Sequence, residues 1–279
     1  LGEKEYKCYD DDINVEELSE NFYNQMKDGV LTKTSLTNPG LFIKHIEKEI
    51  EEGNQVIYVS LASGISSTFQ TSQMFANEIN EEHKETLVKV IDSKTASFGE
   101  AMIAIYAYNL VCEGLSFEEV VSKTEDYVSK VRSEFTVDSI KYLANTGRVS
   151  KLTATIATVL SIKPLLYGSM EGKIEVTSKC RGRNNAINAL TEQVIKHIKN
   201  KEQTVYIAHC NAIDDANKIK EKLIEAGIKN VEVYFYDLVT GAHVGPGTLA
   251  VFYEGDNRTI ERKSIVKDII SKIKREPNN

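Results

Sequence analysis

The chain has 279 residues, 41% of them apolar and 27% charged, with 34 Lys and Arg against 41 Asp and Glu for a net charge of −7. That is chain enough for one large domain or two modest ones with a sizeable core, and the acidic balance speaks against a nucleic-acid partner, which asks for a basic face. No run approaches the roughly 20 apolar residues that cross a bilayer, Leu1-Gly2-Glu3-Lys4-Glu5 holds no apolar signal core, and Cys8, Cys112, Cys180 and Cys210 stand too far apart for a disulfide framework or a zinc site, which fits a reduced, cytoplasmic protein.

In chain order, Asp10-Asp11-Asp12 precedes a helical pattern through Leu18, Phe22 and Met26, with Asp12 or Asn14 as its cap. The acidic run does not have the spacing of a calcium loop, so no metal is expected there. After the hydroxyl-rich stretch from Thr32, Pro39 opens a helix over Leu41 to Glu51 that Gly53 ends. Val56 to Val59 reads as a buried strand, Thr68 to Glu82 as a helix, Val88 to Ile91 as a strand and Gly99 to Cys112 as a helix. Ser116 with Glu119 is a capping box for the next helix. Short strands alternating with longer helices predict a parallel sheet covered on both faces, with ligand loops at the C-terminal strand ends. Arg132 to Val137 reads as a further strand, followed by helical segments around Leu143 and over Thr153 to Leu160.

The rhythm then changes. Ile162 to Tyr167 and Ile174 to Ser178 flank Gly168-Ser-Met-Glu-Gly172 as a hairpin, followed by a helix over Asn184 to Lys199, a strand over Val205 to Ala208, a helix over Asp214 to Ala226, and strands over Val231 to Tyr236 and Thr248 to Phe252. The fold class expected is α/β in two domains. Residues 1–151 form an N-terminal parallel-sheet α/β/α domain, and residues 152–279 form a C-terminal α/β domain with a mixed or largely antiparallel sheet.

Four stretches carry chemistry. Ser60-Leu-Ala-Ser-Gly-Ile-Ser-Ser-Thr68 joins a buried strand to a helix, where backbone N–H groups and the hydroxyls of Ser66, Ser67 and Thr68 suit a phosphate or a carboxylate; plain N-capping is the other reading. The phosphate loop of nucleotide-binding proteins, the dinucleotide glycine pattern and the nucleophile elbow are all missing from it. Thr32-Lys-Thr-Ser35 is a second hydroxyl-rich loop or a simple turn. Arg181-Gly-Arg183 sets two cations at a helix start, against the helix dipole, either to meet a phosphoryl group or an acidic partner or merely as solvated surface. Gly241-Ala-His-Val-Gly-Pro-Gly247 reads as a tight loop whose ionisable side chain, His243, can donate to a carboxylate or orient a hydroxyl, or stand in a turn incidentally. His209, beside Cys210, reads as structural.

Together these stretches resemble the DegV family of bacterial fatty-acid-binding proteins. The resemblance rests on Lys33-Thr34-Ser35, Leu61 to Gln70, Val90-Ile-Asp-Ser-Lys-Thr-Ala-Ser-Phe-Gly99, Ile140-Lys-Tyr-Leu-Ala-Asn-Thr-Gly-Arg-Val-Ser150, Lys179-Cys-Arg-Gly-Arg-Asn-Asn-Ala186 and Gly241 to Gly247. It implies that one long-chain fatty acid lies buried between the two domains. It further implies a non-catalytic carrier subunit that presents the carboxylate to a separate ATP-binding fatty acid kinase for acyl-phosphate formation, with no cofactor and no metal. By the resemblance, Thr34 and Ser66 bind the carboxylate, His243 completes the network, and Arg181 or Arg183 serves the kinase; Ser35, Ser67 and Thr68 of the same hydroxyl-rich loops are further ligand-binding candidates. A monomer is expected, with transient membrane-surface contact as a further expectation.

Against this stands a lipid or acyl-ester serine hydrolase using Ser66 and His243, with Asp237 as the nearest acid. Burying an unpaired carboxylate is costly, so hydroxyl and imidazole donors are what a fatty acid needs; its tail needs only apolar surface, for which Ile156, Val159, Leu160, Ile162, Leu165 and Leu166 are candidates, as lining or as plain core. Family members begin with a strand ending in Thr-Asp-Ser, upstream of the equivalent of Gly2-Glu3-Lys4-Glu5-Tyr6. That segment is absent here, so a truncated chain or a sheet short of a strand is expected, and Ile265, Ile269 and Ile270 suggest an added C-terminal helix.

Overall fold

Two short apolar strands anchor the first half of the chain. β1 (Val56–Ser60) and β2 (Val88–Asp92) pair in parallel, with Val56 opposite Val88 and Ser60 opposite Asp92. Alternate side chains point to opposite faces. Val56 and Tyr58 therefore join Val88 and Val90 under α2 (Pro39–Glu51) and α3 (Thr68–His83), against Phe42, Ile46, Ala76 and Ile79. Ile57 and Val59 turn the other way, with Ile91, towards α4 (Phe98–Cys112) and the larger core. The computed structural model describes residues 14–36, 38–149 and 161–258. Asp10 to Asp12, the Thr153–Leu160 segment with Ile156, Val159 and Leu160, and the C-terminal stretch with Ile265, Ile269 and Ile270 lie outside them.

The larger sheet has the order β5-β4-β3-β8-β6-β7. Its strands are β3 (Val131–Thr136), β4 (Ile162–Gly168), β5 (Ile174–Arg181), β6 (Thr204–His209), β7 (Asn230–Phe235) and β8 (Leu249–Glu254). Only the β6–β7 pair is parallel among them, which makes the sheet mixed. The β4–β5 hairpin forms as expected, with a bulge between Leu165 and Leu166. One expectation is corrected. The strand at Val131–Thr136 does not extend the parallel sheet of the first half; it lies between β4 and β8, antiparallel to both. The reason is burial: every residue of β3 is buried, which an edge position beside β1–β2 would not provide.

The same alternation sorts this sheet's core. Leu249, Val251 and Tyr253 of β8 face α7 (Arg183–His197) and α8 (Ile213–Glu225), packing with Leu190, Val194, Ile219 and Leu223. Ala250 and Phe252 face the opposite way, towards Met102 and Ile103 of α4 and Phe22, Tyr23 and Met26 of α1 (Val15–Lys27). Helix α4 thus serves both sheets, and its Phe98 ring stacks between Tyr206 and Tyr234 at 5.4 and 5.3 Å. Leu165 and Leu166, candidates for tail lining or plain core, point to opposite faces and belong to two different buried clusters. Burying one such side chain is worth about 1.5–3 kcal/mol. The remaining helices are α5 (Phe117–Val128), begun by the Ser116–Glu119 capping box, α6 (Lys141–Asn145) and α9 (Leu238–Val244). Asn14 caps α1 by accepting from the Glu17 amide, and Pro39 opens α2 behind an Asn38 cap.

Candidate functional site

The stretch read from sequence as a glycine-rich loop is a helix over most of its length. Asp237 caps α9, its Oδ1 accepting from the Thr240 amide at 2.7 Å, and the helix runs through Gly241, Ala242 and His243 to Val244. Its glycines are needed for packing as much as for turning. A Cβ on Gly241 would overlap the Tyr23 ring, and one on Gly245, at φ 81°, would overlap the Tyr142 ring. Tyr23 donates to the Tyr236 carbonyl at 2.7 Å and Tyr142 to the Met26 carbonyl at 3.3 Å. Helix α9 is thereby seated between α1 and α6, and that seating fixes where the imidazole of His243 stands.

His243 Nε2 lies 2.8 Å from Thr34 Oγ1, a contact between residues 209 apart in sequence. One residue back along α9, the Ala242 carbonyl accepts from the Thr32 hydroxyl at 3.2 Å. His243 Nδ1 is buried and has no hydrogen-bond partner among the described residues. Burial, then the charge of Arg148, push the His243 pKa down against the pull of Asp237, so the ring is neutral at pH 7. A neutral imidazole can either donate to or accept from a hydroxyl.

The loop after β1 is built from the opposite side. Ala62 donates to the Thr95 carbonyl, and Ile65 and Ser66 donate back to the Ala62 carbonyl. The Ser63 amide donates to Asp92 Oδ1 at 3.1 Å, and Lys94 Nζ donates to Asp92 Oδ2 at 2.5 Å and to Ser63 Oγ at 3.2 Å. Burial pushes the Asp92 carboxyl up, but the bonds from Lys94 and Ser63 outweigh it and hold its pKa below the usual value. Ser66 Oγ accepts from the Thr68 amide at 3.2 Å and lies 2.8 Å from Thr68 Oγ1, so it does the capping work at the start of α3. Ser67 holds the N-cap position without a side-chain cap bond and is exposed, as is Ser35.

Of the residues expected at the site, the structure brings Thr34 and His243 into contact and joins Ser66 to Thr68. What links the two groups is Arg148, which sequence reasoning passed over. Its Nε donates to the Ile65 carbonyl at 3.2 Å, its Nη1 to the Thr146 carbonyl, and its charge reaches His243. Arg148 and the Asp92–Lys94 pair both lie inside stretches that carry the resemblance, and that was the available signal. Hydrolase geometry is not assembled. Ser66 Oγ is bonded to Thr68, His243 Nε2 meets Thr34, and the Asp237 carboxylate caps α9. His209 is structural: buried, its Nδ1 accepting from the Ala212 amide, its pKa pushed down to about 4 by burial. Burial pushes the Cys210 thiol up, which leaves it unreactive.

The two arginines separate cleanly. Arg183, the first residue of α7, pairs with Asp215 of α8 at 2.8 Å. Arg181 ends β5, is exposed, and has no ion-pair partner among the described residues. Gly182, at φ 84°, makes the turn between them.

Residues 2–256 match the sequence model of a family described as uncharacterised protein, DegV family. The chain belongs to the DegV family. A DegV domain-containing protein of Clostridium perfringens is 32% identical over 252 residues, which cover 90% of this chain and 87% of that one. Two solved DegV structures are similar to this chain. The fatty acid binding DegV family protein of Streptococcus agalactiae has a TM-score of 0.75 at 27% identity, covering 85% of this chain and 84% of that one. A Thermotoga maritima protein whose structure reveals a fatty acid binding function has a TM-score of 0.74 at 25% identity, covering 86% and 84%. The fold alone is shared with the Streptococcus pneumoniae fatty acid kinase B3 protein loaded with linoleic acid, at a TM-score of 0.75 and 22% identity over 88% and 85% of the two chains. The small parallel sheet and the larger mixed sheet are those of the DegV fold. Among the described residues no helix is long and apolar enough to cross a membrane.

Proposed function

We propose that this DegV protein binds one long-chain fatty acid, with Thr34, His243 and the Ser66 loop meeting the carboxylate. The observation that carries the reading is the 2.8 Å Thr34–His243 contact. It joins a hydroxyl segment from one end of the chain to an imidazole from the other, beside a loop whose carbonyl is held by Arg148. A carboxylate has acceptors and no donors, so it is matched by hydroxyls, amides and a nearby cation. The neutral ring adds a donor without adding a second fixed charge. Fatty acid binding by the Streptococcus agalactiae and Thermotoga maritima relatives supports the same ligand class here.

The protein then acts as a carrier: it holds the acyl chain while a separate ATP-dependent kinase phosphorylates the carboxylate. In this reading Arg181 is the residue offered to the kinase, because it is exposed and uncommitted, whereas Arg183 is held by Asp215. Contacts to a transferring phosphoryl group count most in the transition state. The test has two arms. Delipidated protein titrated with the fluorescent fatty acid cis-parinaric acid, with palmitate as competitor, is expected to show saturable binding that His243→Ala weakens about tenfold or more. Acyl-phosphate formation by the cognate kinase is expected to slow sharply with Arg181→Ala while binding is unchanged. Absence of saturable uptake overturns the ligand reading, and equal kinase rates overturn the role of Arg181.

A further inference from the structure

Arg258 stands just beyond the last residue matched to the family, 256, and is 5% exposed. A guanidinium has five donors and loses much hydration on burial, so its partners show what it is for. Nη1 donates to the carbonyls of Lys94 at 3.2 Å and Gly168 at 3.0 Å, and Nη2 donates to the Val128 carbonyl at 2.7 Å. The backbone amide adds a bond to the Ser129 carbonyl. One side chain therefore ties together the β2–α4 loop, the start of the β4–β5 hairpin tip and the C-terminus of α5.

The first two of these elements both touch the loop after β1, and they approach each other: a Cβ on Gly168 would lie 3.6 Å from the Lys94 carbonyl oxygen and one on Gly172 3.5 Å from Lys94 Cδ. The first contact is through Lys94, held at φ 55°, whose ammonium reaches Ser63 Oγ and Asp92. A non-glycine residue in this left-handed region is strained and persists only where its surroundings hold it. The second is through the hairpin tip, closed by bonds from Ser169 to the Lys173 carbonyl and from Gly172 to the Ser169 carbonyl. It lies backbone to backbone on Gly64: a Cβ there would sit 2.5 Å from the Gly172 carbonyl carbon and 2.6 Å from the Glu171 oxygen. Gly168 has no room either, since its Cβ would fall 2.7 Å from Ser133 Oγ. With no side chain between Gly64 and the hairpin tip, a shift of the hairpin passes directly into Gly64, and a shift of Lys94 reaches Ser63 through its ammonium.

We infer that Arg258 is a positioning residue of the candidate ligand site, fixing the Lys94 loop and the hairpin tip relative to each other and so the Ser63–Ser66 loop that both of them touch. The inference rests on the fatty-acid reading for its ligand but not for its geometry, and two readouts keep them apart. In the first, Arg258→Gln raises the cis-parinaric acid Kd about tenfold, measured well below the melting temperature. Leu223→Ala, a core change beneath α8 that lowers thermal stability away from both loops, leaves the Kd within about twofold. The double variant Arg258→Gln/Lys94→Met binds no more weakly than Arg258→Gln alone, because both act through one loop.

In the second, native-state hydrogen exchange of the Ser63, Ile65 and Ser66 amides quickens at least tenfold in Arg258→Gln, with the Ile207 and Val251 amides unchanged. Lys94 is partly exposed, so Lys94→Met supplies the same two readouts should Arg258→Gln not fold. Unchanged exchange at these amides overturns the inference whether or not a fatty acid binds. Unchanged affinity in a wild-type protein that does bind overturns it while leaving the fatty-acid reading in place.

Discussion

The two hydroxyl-bearing segments of the candidate site are held in opposite ways. The loop from Leu61 to Thr68 is bonded to Thr95, to the Asp92–Lys94 pair and to Arg148, and its backbone rests on the hairpin tip. The segment from Thr32 to Leu36 is largely exposed and meets the rest of the site through two hydroxyls, both directed at α9. Donors on the loop are set before any ligand arrives, which limits the ordering cost of binding. Donors on the segment are only as well placed as α9, and α9 is only as well placed as Tyr23 and Tyr142 allow.

The largest expected effect comes from unseating α9. Gly241→Val places a branched side chain where the Tyr23 ring lies. Overpacking of this kind costs about 3 kcal/mol at a site with no slack. The thermal midpoint should fall accordingly, and fatty acid affinity should fall with it because His243 moves. A variant that loses stability yet binds as wild type would break the dependence of the segment on α9.

Acid should separate the two halves by a somewhat smaller amount. His209, at the end of β6 next to the strand leading into α9, has its pKa pushed down to about 4 by burial, whereas an unfolded His titrates near 6.5. The unfolded chain therefore takes up the proton first. Stability is lost as pH falls from about 6.5 towards 4, by up to about 2 kcal/mol at pH 4.5. Asp92 is held below the usual carboxylate value, so the loop's Lys94–Asp92 tie outlasts that range. Glu100 of α4 has the opposite sense. Burial raises its pKa to about 8, so the folded state keeps a proton that the unfolded chain has lost, and stability falls as pH rises from about 4.5 through 8. Between about pH 4.5 and 6.5 the two trends oppose each other, so thermal midpoints at pH 4.5, 5.5, 7 and 8.5 are compared between wild type and His209→Asn, which keeps an acceptor for the Ala212 amide. Below about pH 6.5 the wild type should stay nearly level while the variant falls with rising pH, and above it both should fall through pH 8.

Thr34→Val removes the contact to His243 from an exposed position. One hydrogen bond of this kind is worth about 1 kcal/mol, or roughly fivefold in affinity, with no change in thermal midpoint. Ser66→Ala should differ by losing some stability as well, because that hydroxyl caps Thr68. Smallest of all, Arg181→Ala should leave both midpoint and fatty acid Kd within about 0.5 kcal/mol of wild type, as expected for an exposed side chain. Arg183→Ala should cost more, since it leaves Asp215 with Lys218 alone.

Much of this was legible in the residues. Short apolar runs located the strands, and the capping signals of Asn14, Pro39 and Ser116 located helix starts, because both depend on nearest neighbours along the chain. The place of β3 was not legible. A strand buried on both faces reads the same whether it joins a parallel or a mixed sheet, and pairing with β4 and β8 is a long-range choice. Gly241 was misread as loop because its local preference is against helix; the deciding partner, Tyr23, lies over two hundred positions away. Thr34 and His243 were found by residue type, but Arg148 escaped because a single Arg after a Gly has no local pattern to mark it as the residue that holds the Ile65 carbonyl and bears on His243.

The central claim is that the chain holds a long-chain fatty acid, and mass spectrometry of an organic extract of the purified protein tests it most directly. The account predicts a long-chain fatty acid in near-stoichiometric amount, or its uptake from added oleate or palmitate by delipidated protein, reduced in His243→Ala. An extract without fatty acid from a folded protein that takes up neither oleate nor palmitate would contradict it.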